Sequence, residues 1–225
     1  MSEKNTEALF KAVVDNKLYL GTPKYKYFPK VTDKVMMGEK NGQIVINPND
    51  IVSSLEKVKE LVSSFKKDWK SVLVVFDKEV FKEDVEKICN SLWVMYLNSK
   101  VPSWFFTNFE TFSQRISSMN KLREFINSEH FLKLTKKEQL MKKRELKKLE
   151  DIYRWVTKLS KKPDLVIIID WEYYLNTAKE LEKIWIDYVA VVNTDLSKLL
   201  NTDYLIVANT NSYESIIFLL NYILK

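Results

Sequence analysis

Asp170 and Asp195 close two buried apolar runs, "DLVIIID" (164–170) and "YVAVVNTD" (188–195). A carboxylate at the carboxyl end of a buried strand is where a sheet enzyme keeps a general acid or base, so proton transfer on a bound nucleotide or sugar is the first chemistry to weigh. The competing role for Asp170 is to cap the helix that follows, and the residues around it favour that role. A phosphate-binding site of this kind needs glycines where a strand turns into a helix. The chain has only Gly21, Gly38 and Gly42, all elsewhere; "SVLVVF" runs into "DKEVF", and "LVIIID" into "WEYYL". The lone cysteine, Cys89, lies in an amphipathic pattern and reads as a small packed apolar side chain; the lone histidine, His130, has no nucleophile pattern near it. One cysteine and one histidine exclude a disulfide within the chain and a transition-metal site of Cys and His ligands.

The second chemistry is polyanion binding. "LTKKEQLMKKRELKKLE" (134–150) carries seven Lys and Arg among leucines at helical spacing. From His130 to Lys162 there are 12 basic residues and four acids, a net +8, while the remaining chain holds 24 basic and 26 acidic residues. After Lys162, four lysines face nine acids, so one end repels the ligands the middle attracts. A solvated helix face explains Glu138 with Lys142 and little else, whereas phosphates would neutralise the excess and release counterions at each contact. A further cluster, "PKYKYFPK" (23–30), interleaves Lys24, Lys26 and Lys30 with Tyr25, Tyr27 and Phe28. That mixture suits phosphate contact with stacking on bases, and equally suits aromatics anchoring an N-terminal arm on its own domain.

The elements that must carry these residues follow from periodicity. Apolar runs at 43–47, 71–76, 92–97, 164–170, 188–193 and 204–209 read as buried strands, with helical patterns at about 50–67, 78–90, 172–184 and 211–224 between them. This alternation predicts a Rossmann-like, flavodoxin-like α/β fold: a mostly parallel sheet with helices on both faces. About 65 residues separate the third strand from the fourth, far beyond a simple crossover. Phe109, Phe112, Ile116, Met119, Leu122 and Ile126 form one apolar seam there, and Leu146, Leu149, Tyr153 and Val156 another, which predicts an inserted antiparallel helical hairpin of coiled-coil type turning near 127–131. Thr107 with Glu110 and Thr135 with Glu138 have the spacing of capping boxes, and Pro163 stops the basic helix. The expected division is an N-terminal extended arm with the first strand at 1–49, the sheet domain at 50–103 and 163–225, and the hairpin at 104–162.

At 225 residues, with 46% apolar residues, the chain can build a substantial core. The opening twenty residues hold Glu3, Glu7 and Asp15 and no arginine, unlike a secretory signal or transit peptide, and no apolar run reaches membrane-spanning length. Usage is skewed to Lys, Asn, Ile, Phe and Tyr, as AT-rich coding produces.

Several motifs together resemble the ribosomal protein S2 family. "LTKKEQLMKKRELKKLE" is similar to the family's L-T-K-K-E-x-L-M-x-x-R-E-L-x-K-L-E. "YFPKV" and "EKNGQIVIN" resemble W-N-P-K-M and R-N-G-I-x-I-I-N, and "FFTNFETFSQRI" resembles M-L-T-N-W-x-T-x-x-x-x-I. "KKPDLVIIID" and "VAVVNTD" resemble L-P-D-x-x-x-x-I-D and V-x-A-I-V-D-T-N, in the same order along about 18–224. Departures are "LYLGT" for V-H-F-G-H, "KVPSW" for R-W-L-G-G and "VFDK" for V-G-T-K. The resemblance implies a non-catalytic component of the small ribosomal subunit, in contact with ribosomal RNA and neighbouring ribosomal proteins. It implies no cofactor, metal, small-molecule substrate, membrane or homo-oligomer. Carried onto this chain, the RNA contacts would be Lys24, Lys26, Lys30, Asn108, Arg115, Lys136, Lys137, Lys142, Lys143, Arg144, Lys147 and Lys148. The lost bacterial features and AT-type usage point to a mitochondrial ribosome, with a plastid or bacterial-type ribosome as alternatives. An α/β enzyme using Asp170 or Asp195, or a protein-binding helical-arm adaptor, are the rival functions.

Overall fold

A computed structural model describes residues 3–28, 33–98, 101–153, 161–170, 174–196 and 202–225. The chain divides into two compact units, 1–101 with 163–225 and 102–162.

The first unit is built on five parallel strands, β4 (Val72–Val75), β5 (Met95–Leu97), β6 (Leu165–Ile169), β7 (Asp187–Val192) and β8 (Leu205–Val207), in the order β5-β4-β6-β7-β8. Every residue of β4 and β6 is buried, as the unbroken apolar runs require of strands covered on both faces. Register is regular, with Val72 opposite Leu165 and Leu165 opposite Asp187. At the amino end of β4, Ser71 donates from its N–H and its hydroxyl to Asp164 Oδ2, both at 2.7 Å, which ties the starts of β4 and β6 together. This strand order is the flavodoxin-like one, reversing direction between β4 and β6.

The covering helices are α1 (Glu3–Asp15), α2 (Pro48–Lys67), α3 (Lys82–Ser91), α7 (Leu175–Lys183) and α8 (Tyr213–Leu224). The second unit holds α4 (Phe109–Ile126), α5 (Glu129–Leu132) and α6 (Lys136–Tyr153). α1 packs on α2, α2 and α3 pack on α8, and α7 packs on β7. α2 presents Ile51, Val52, Leu55, Val58, Val62 and Phe65 to the core at helical spacing. It starts where Asn47 accepts a hydrogen bond from Asn49 N–H at 3.1 Å, with Pro48 in the first turn, where its missing N–H costs nothing.

The N-terminal stretch differs from the extended arm expected at 1–49. It contains α1 and a separate antiparallel sheet of β1 (Leu20–Pro23), β3 (Gln43–Ile46) and β2 (Met36–Lys40). The run at 43–47 therefore pairs outside the parallel sheet. The reason is the Asn41-Gly42 turn, with φ of 52° and 75°, whose twist closes β2 onto β3 as a tight hairpin. The strand expected at 92–97 begins only at Met95, because Leu92 and Trp93 finish α3.

Candidate nucleic-acid interface

Two features could carry function in the sheet unit. The first is its carboxyl edge. Asp170 does not cap α7, which starts after Tyr174; instead its Oδ2 lies 2.7 Å from Lys78 Nζ. The same ammonium donates to Thr210 O at 2.9 Å and Asn211 Oδ1 at 3.0 Å. The crevice where the strand order reverses is thus occupied by an ion pair tied to the loop after β8. Burial pushes the Asp195 carboxyl above the ordinary aspartate range, and the negative charge of Asp170 adds to it, opposed by Lys78 and Lys26. Among the described residues, no group of three or more His, Cys, Asp or Glu could hold a metal ion.

The second feature is the N-terminal cluster. Lys24 Nζ pairs with Glu39 Oε2 at 2.7 Å, and Lys26 Nζ stands 5.9 Å from the centre of the Tyr25 ring, which is 83% exposed. The segment is pinned at both ends: Lys24 N–H donates to Gly42 O at 2.9 Å and Phe28 N–H to Thr194 O at 3.2 Å. Just before it, Thr22 N–H donates to Thr194 Oγ1 at 2.8 Å, and the two threonine hydroxyls lie 2.7 Å apart. Gly21 is required for that approach, because a Cβ there would lie 2.8 Å from Thr194 Oγ1 and 3.0 Å from Ile44 O. Lys30 lies outside the described residues.

The other unit is the helical arm: α4 (Phe109–Ile126), α5 (Glu129–Leu132) and α6 (Lys136–Tyr153). α4 and α6 pack along the anticipated seam, with Phe109, Ile116 and Met119 buried and Leu122, Ile126, Leu146 and Leu149 half-buried. Val156 lies outside the described residues. The base of α4 is an aromatic cluster in which Phe105 meets Phe106, Phe109 and Phe112 at centroid distances of 5.1, 5.9 and 5.1 Å. Arg123 fastens the helices farther along, its Nη2 and Nε donating to Glu150 Oε1 at 2.7 and 3.1 Å. In place of a bare turn at 127–131, α5 inserts Phe131 edge-on to Phe125 at 6.2 Å, and Gln139 Nε2 donates to the carbonyls of Phe131 and Leu134.

The expected capping box on α6 forms. Thr135 N–H and hydroxyl donate to Glu138 Oε2 at 2.9 and 2.7 Å, and Glu138 N–H returns to Thr135 Oγ1 at 3.4 Å. These bonds hold the Glu138 carboxyl below its ordinary pKa range. α4 starts instead after Asn108, whose side chain makes no capping bond, because the backbone already turns there: Asn108 N–H donates to Trp104 O at 3.0 Å.

α6 sorts its side chains by period. Leu146 and Leu149 meet α4, and Lys142, half-buried, pairs with Glu145 at 2.9 Å. Lys136, Lys143 and Lys147 form one exposed stripe, and Lys137, Arg144 and Lys148 the next. Lys143 stands 5.7 Å from the Phe131 ring. The other five make no ion pair among the described residues. Beside the second stripe runs an open groove of about 460 Å³, lined by Leu134, Glu138, Met141, Arg144, Glu145 and Lys148 among others, with Met141 61% exposed. Asn108, directly before α4, and the exposed Arg115 on α4 lie outside these stripes. Such a surface offers fixed positive charge at helical intervals with no preorganised acid or base, which suits phosphates held by position.

A family model described as Ribosomal protein S2 matches residues 13–225. The chain belongs to the ribosomal protein S2 family. It is 29% identical over 208 residues to the small ribosomal subunit protein uS2 of Dictyoglomus thermophilum, covering 92% of this chain and 84% of that one. Similar likeness holds to uS2 of Cytophaga hutchinsonii, 26% over 207 residues (92% and 81%), and of Thermus thermophilus, 24% over 215 residues (96% and 83%). The five-stranded parallel sheet with flanking helices agrees with the Rossmann-like fold expected of the S2 family. Sequence reasoning passed over two residues that organise the sheet unit. Lys78, in "VFDK", fills the strand-order crevice, and Gly21, the glycine retained in "LYLGT", admits Thr194.

Proposed function

We propose that this chain is a structural component of the small ribosomal subunit that binds ribosomal RNA and neighbouring ribosomal proteins and catalyses nothing. The observation that carries the RNA role is the pair of exposed cationic stripes on α6, Lys136/Lys143/Lys147 and Lys137/Arg144/Lys148, beside a seam already satisfied by Leu146, Leu149 and the Arg123–Glu150 pair. Folded RNA is recognised largely through shape and phosphate contact, for which such stripes suffice. The finer contacts, with Lys24, Lys26, Lys30, Asn108, Arg115 and Lys142 joining the stripes, belong to the same reading. It needs no cofactor, metal, small-molecule substrate or second copy. Asp170, engaged by Lys78, fits it better than it fits an acid or base awaiting substrate.

AT-type composition supports a mitochondrial home, and the bacterial relatives support a bacterial-type ribosome. Cosedimentation with mitochondrial or with bacterial small subunits separates the two. For the RNA role the test is charge reversal at Lys142, Lys143 and Lys147. The reading expects loss of assembly into small subunits with the sheet still folded; normal cosedimentation through a salt series overturns it.

A further inference from the structure

Every tryptophan among the described residues sits in left-handed backbone: Trp69, Trp93, Trp104 and Trp185 have φ of 58°, 56°, 65° and 58°. All four are also exposed, at 91, 96, 57 and 94%. Both facts run against the residue type. An indole repays its place in a fold by burying its ring and pairing its N–H, and a bulky residue at positive φ is a genuine outlier.

Three of them occupy the same place in the same motif, directly after the C-cap residue and two residues beyond the last helical one. Trp69 N–H returns to Lys66 O at 3.2 Å and the next N–H, of Lys70, to Phe65 O at 2.9 Å, closing α2. Trp93 N–H returns to Asn90 O at 3.4 Å and Val94 N–H to Cys89 O at 2.9 Å, closing α3. Trp185 N–H returns to Glu182 O at 3.4 Å and Ile186 N–H to Leu181 O at 3.1 Å, closing α7. This double closure around a left-handed residue is the helix ending that glycine serves, because any Cβ there crowds the following carbonyl. The fourth, Trp104, ends "KVPSW", the run that stands against R-W-L-G-G in the family resemblance.

Composition makes the complementary statement. The chain has three glycines in 225 residues, where usual composition of about 7% would give roughly 16. Lys17, at φ 57°, closes α1 in the same way, so a non-glycine residue can stand at such a site. It is, however, one lysine of many, whereas the tryptophans are there without exception among the described residues. With only a few per cent of non-glycine residues at positive φ, four out of four by chance is on the order of one in a million.

We infer that positions 69, 93, 104 and 185 are glycine positions, and that the codon written there as tryptophan is decoded as glycine in the organism that makes this protein. The partner this requires is a glycine-charged transfer RNA reading a codon that other genomes assign to tryptophan. With glycine at these sites three helix ends relax into their ordinary geometry, and no indole among the described residues is left standing in solvent.

Peptide mass spectrometry of the protein from the source organism's own ribosomes decides the matter. The expected result is that peptides spanning 69, 93, 104 and 185 are each lighter by the difference between a tryptophan and a glycine residue. Peptides with intact tryptophan overturn the inference, and would instead make the indoles before β4, β5 and β7 a genuine exposed aromatic edge. A second measurement uses the chain made with tryptophan: Trp69→Gly, Trp93→Gly and Trp185→Gly should each raise Tm, and additively. An unchanged or lowered Tm in all three contradicts the glycine assignment.

Discussion

Neutralising Arg144, Lys147 and Lys148 together to glutamine removes three exposed cations from α6 without touching Lys142 or Lys143, which have neighbours within the arm. Each cation seated on a phosphate releases counterions, contributing about 0.7–0.9 to the slope of log affinity against log salt. Three such contacts make the variant's slope shallower by roughly 2–3. Between ~50 and ~200 mM salt the unaltered chain should then lose roughly 20–40-fold more affinity than the variant. All three side chains are exposed and away from the Phe109–Ile116–Met119 seam, so folding stability should move by less than about 0.5 kcal/mol. Fluorescence anisotropy on a small-subunit RNA fragment across a salt series measures the slope, and the melting curve serves as the control. An unchanged slope with an unchanged melting curve would refute the assignment of these cations to phosphates.

Gly21→Ala should cost about 2–4 kcal/mol, since the added methyl overpacks a fully buried site and Thr194 cannot turn away without giving up its bond from Thr22 N–H; the urea midpoint should fall with the m-value unchanged. Arg123→Gln removes the pair to Glu150 that joins α4 to α6 and, because both groups are partly exposed, should cost only about 0.5–1 kcal/mol, less in high salt, read from thermal melts. Asp195→Asn should stabilise the protein at neutral pH. The folded pKa of Asp195 is raised, so its ionised form is a penalty that is full above the folded pKa and absent below the unfolded value of about 3.9; the gain should shrink as pH falls through that window.

The parallel sheet was legible because β4, β6 and, after its exposed first residue Asp187, β7 are apolar without interruption, a pattern only a doubly covered strand needs. The antiparallel sheet was not, although its signal was present: Asn41-Gly42 between two short runs marks a hairpin, and the apolar content of 43–47 alone cannot say which sheet it joins. Capping patterns were equally ambiguous. Thr107 with Glu110 and Thr135 with Glu138 have identical spacing, yet α4 takes Asn108 as its N-cap, one residue later than the pattern expects, where the turn from Trp104 to Asn108 bends the chain. For the candidate interface, charge and period were visible in sequence. Which cations have partners was not, since the pairing of Lys24 with Glu39 and of Lys78 with Asp170 depends on long-range folding.

As proposed, this chain works as a ribosomal RNA-bound component of the small subunit. The most direct test is a sucrose gradient of the native protein, with RNA extracted from each fraction. The protein should comigrate with small-subunit RNA and be stripped from it by high salt. A protein found wholly in the free pool at the top of the gradient, at low salt, would contradict it.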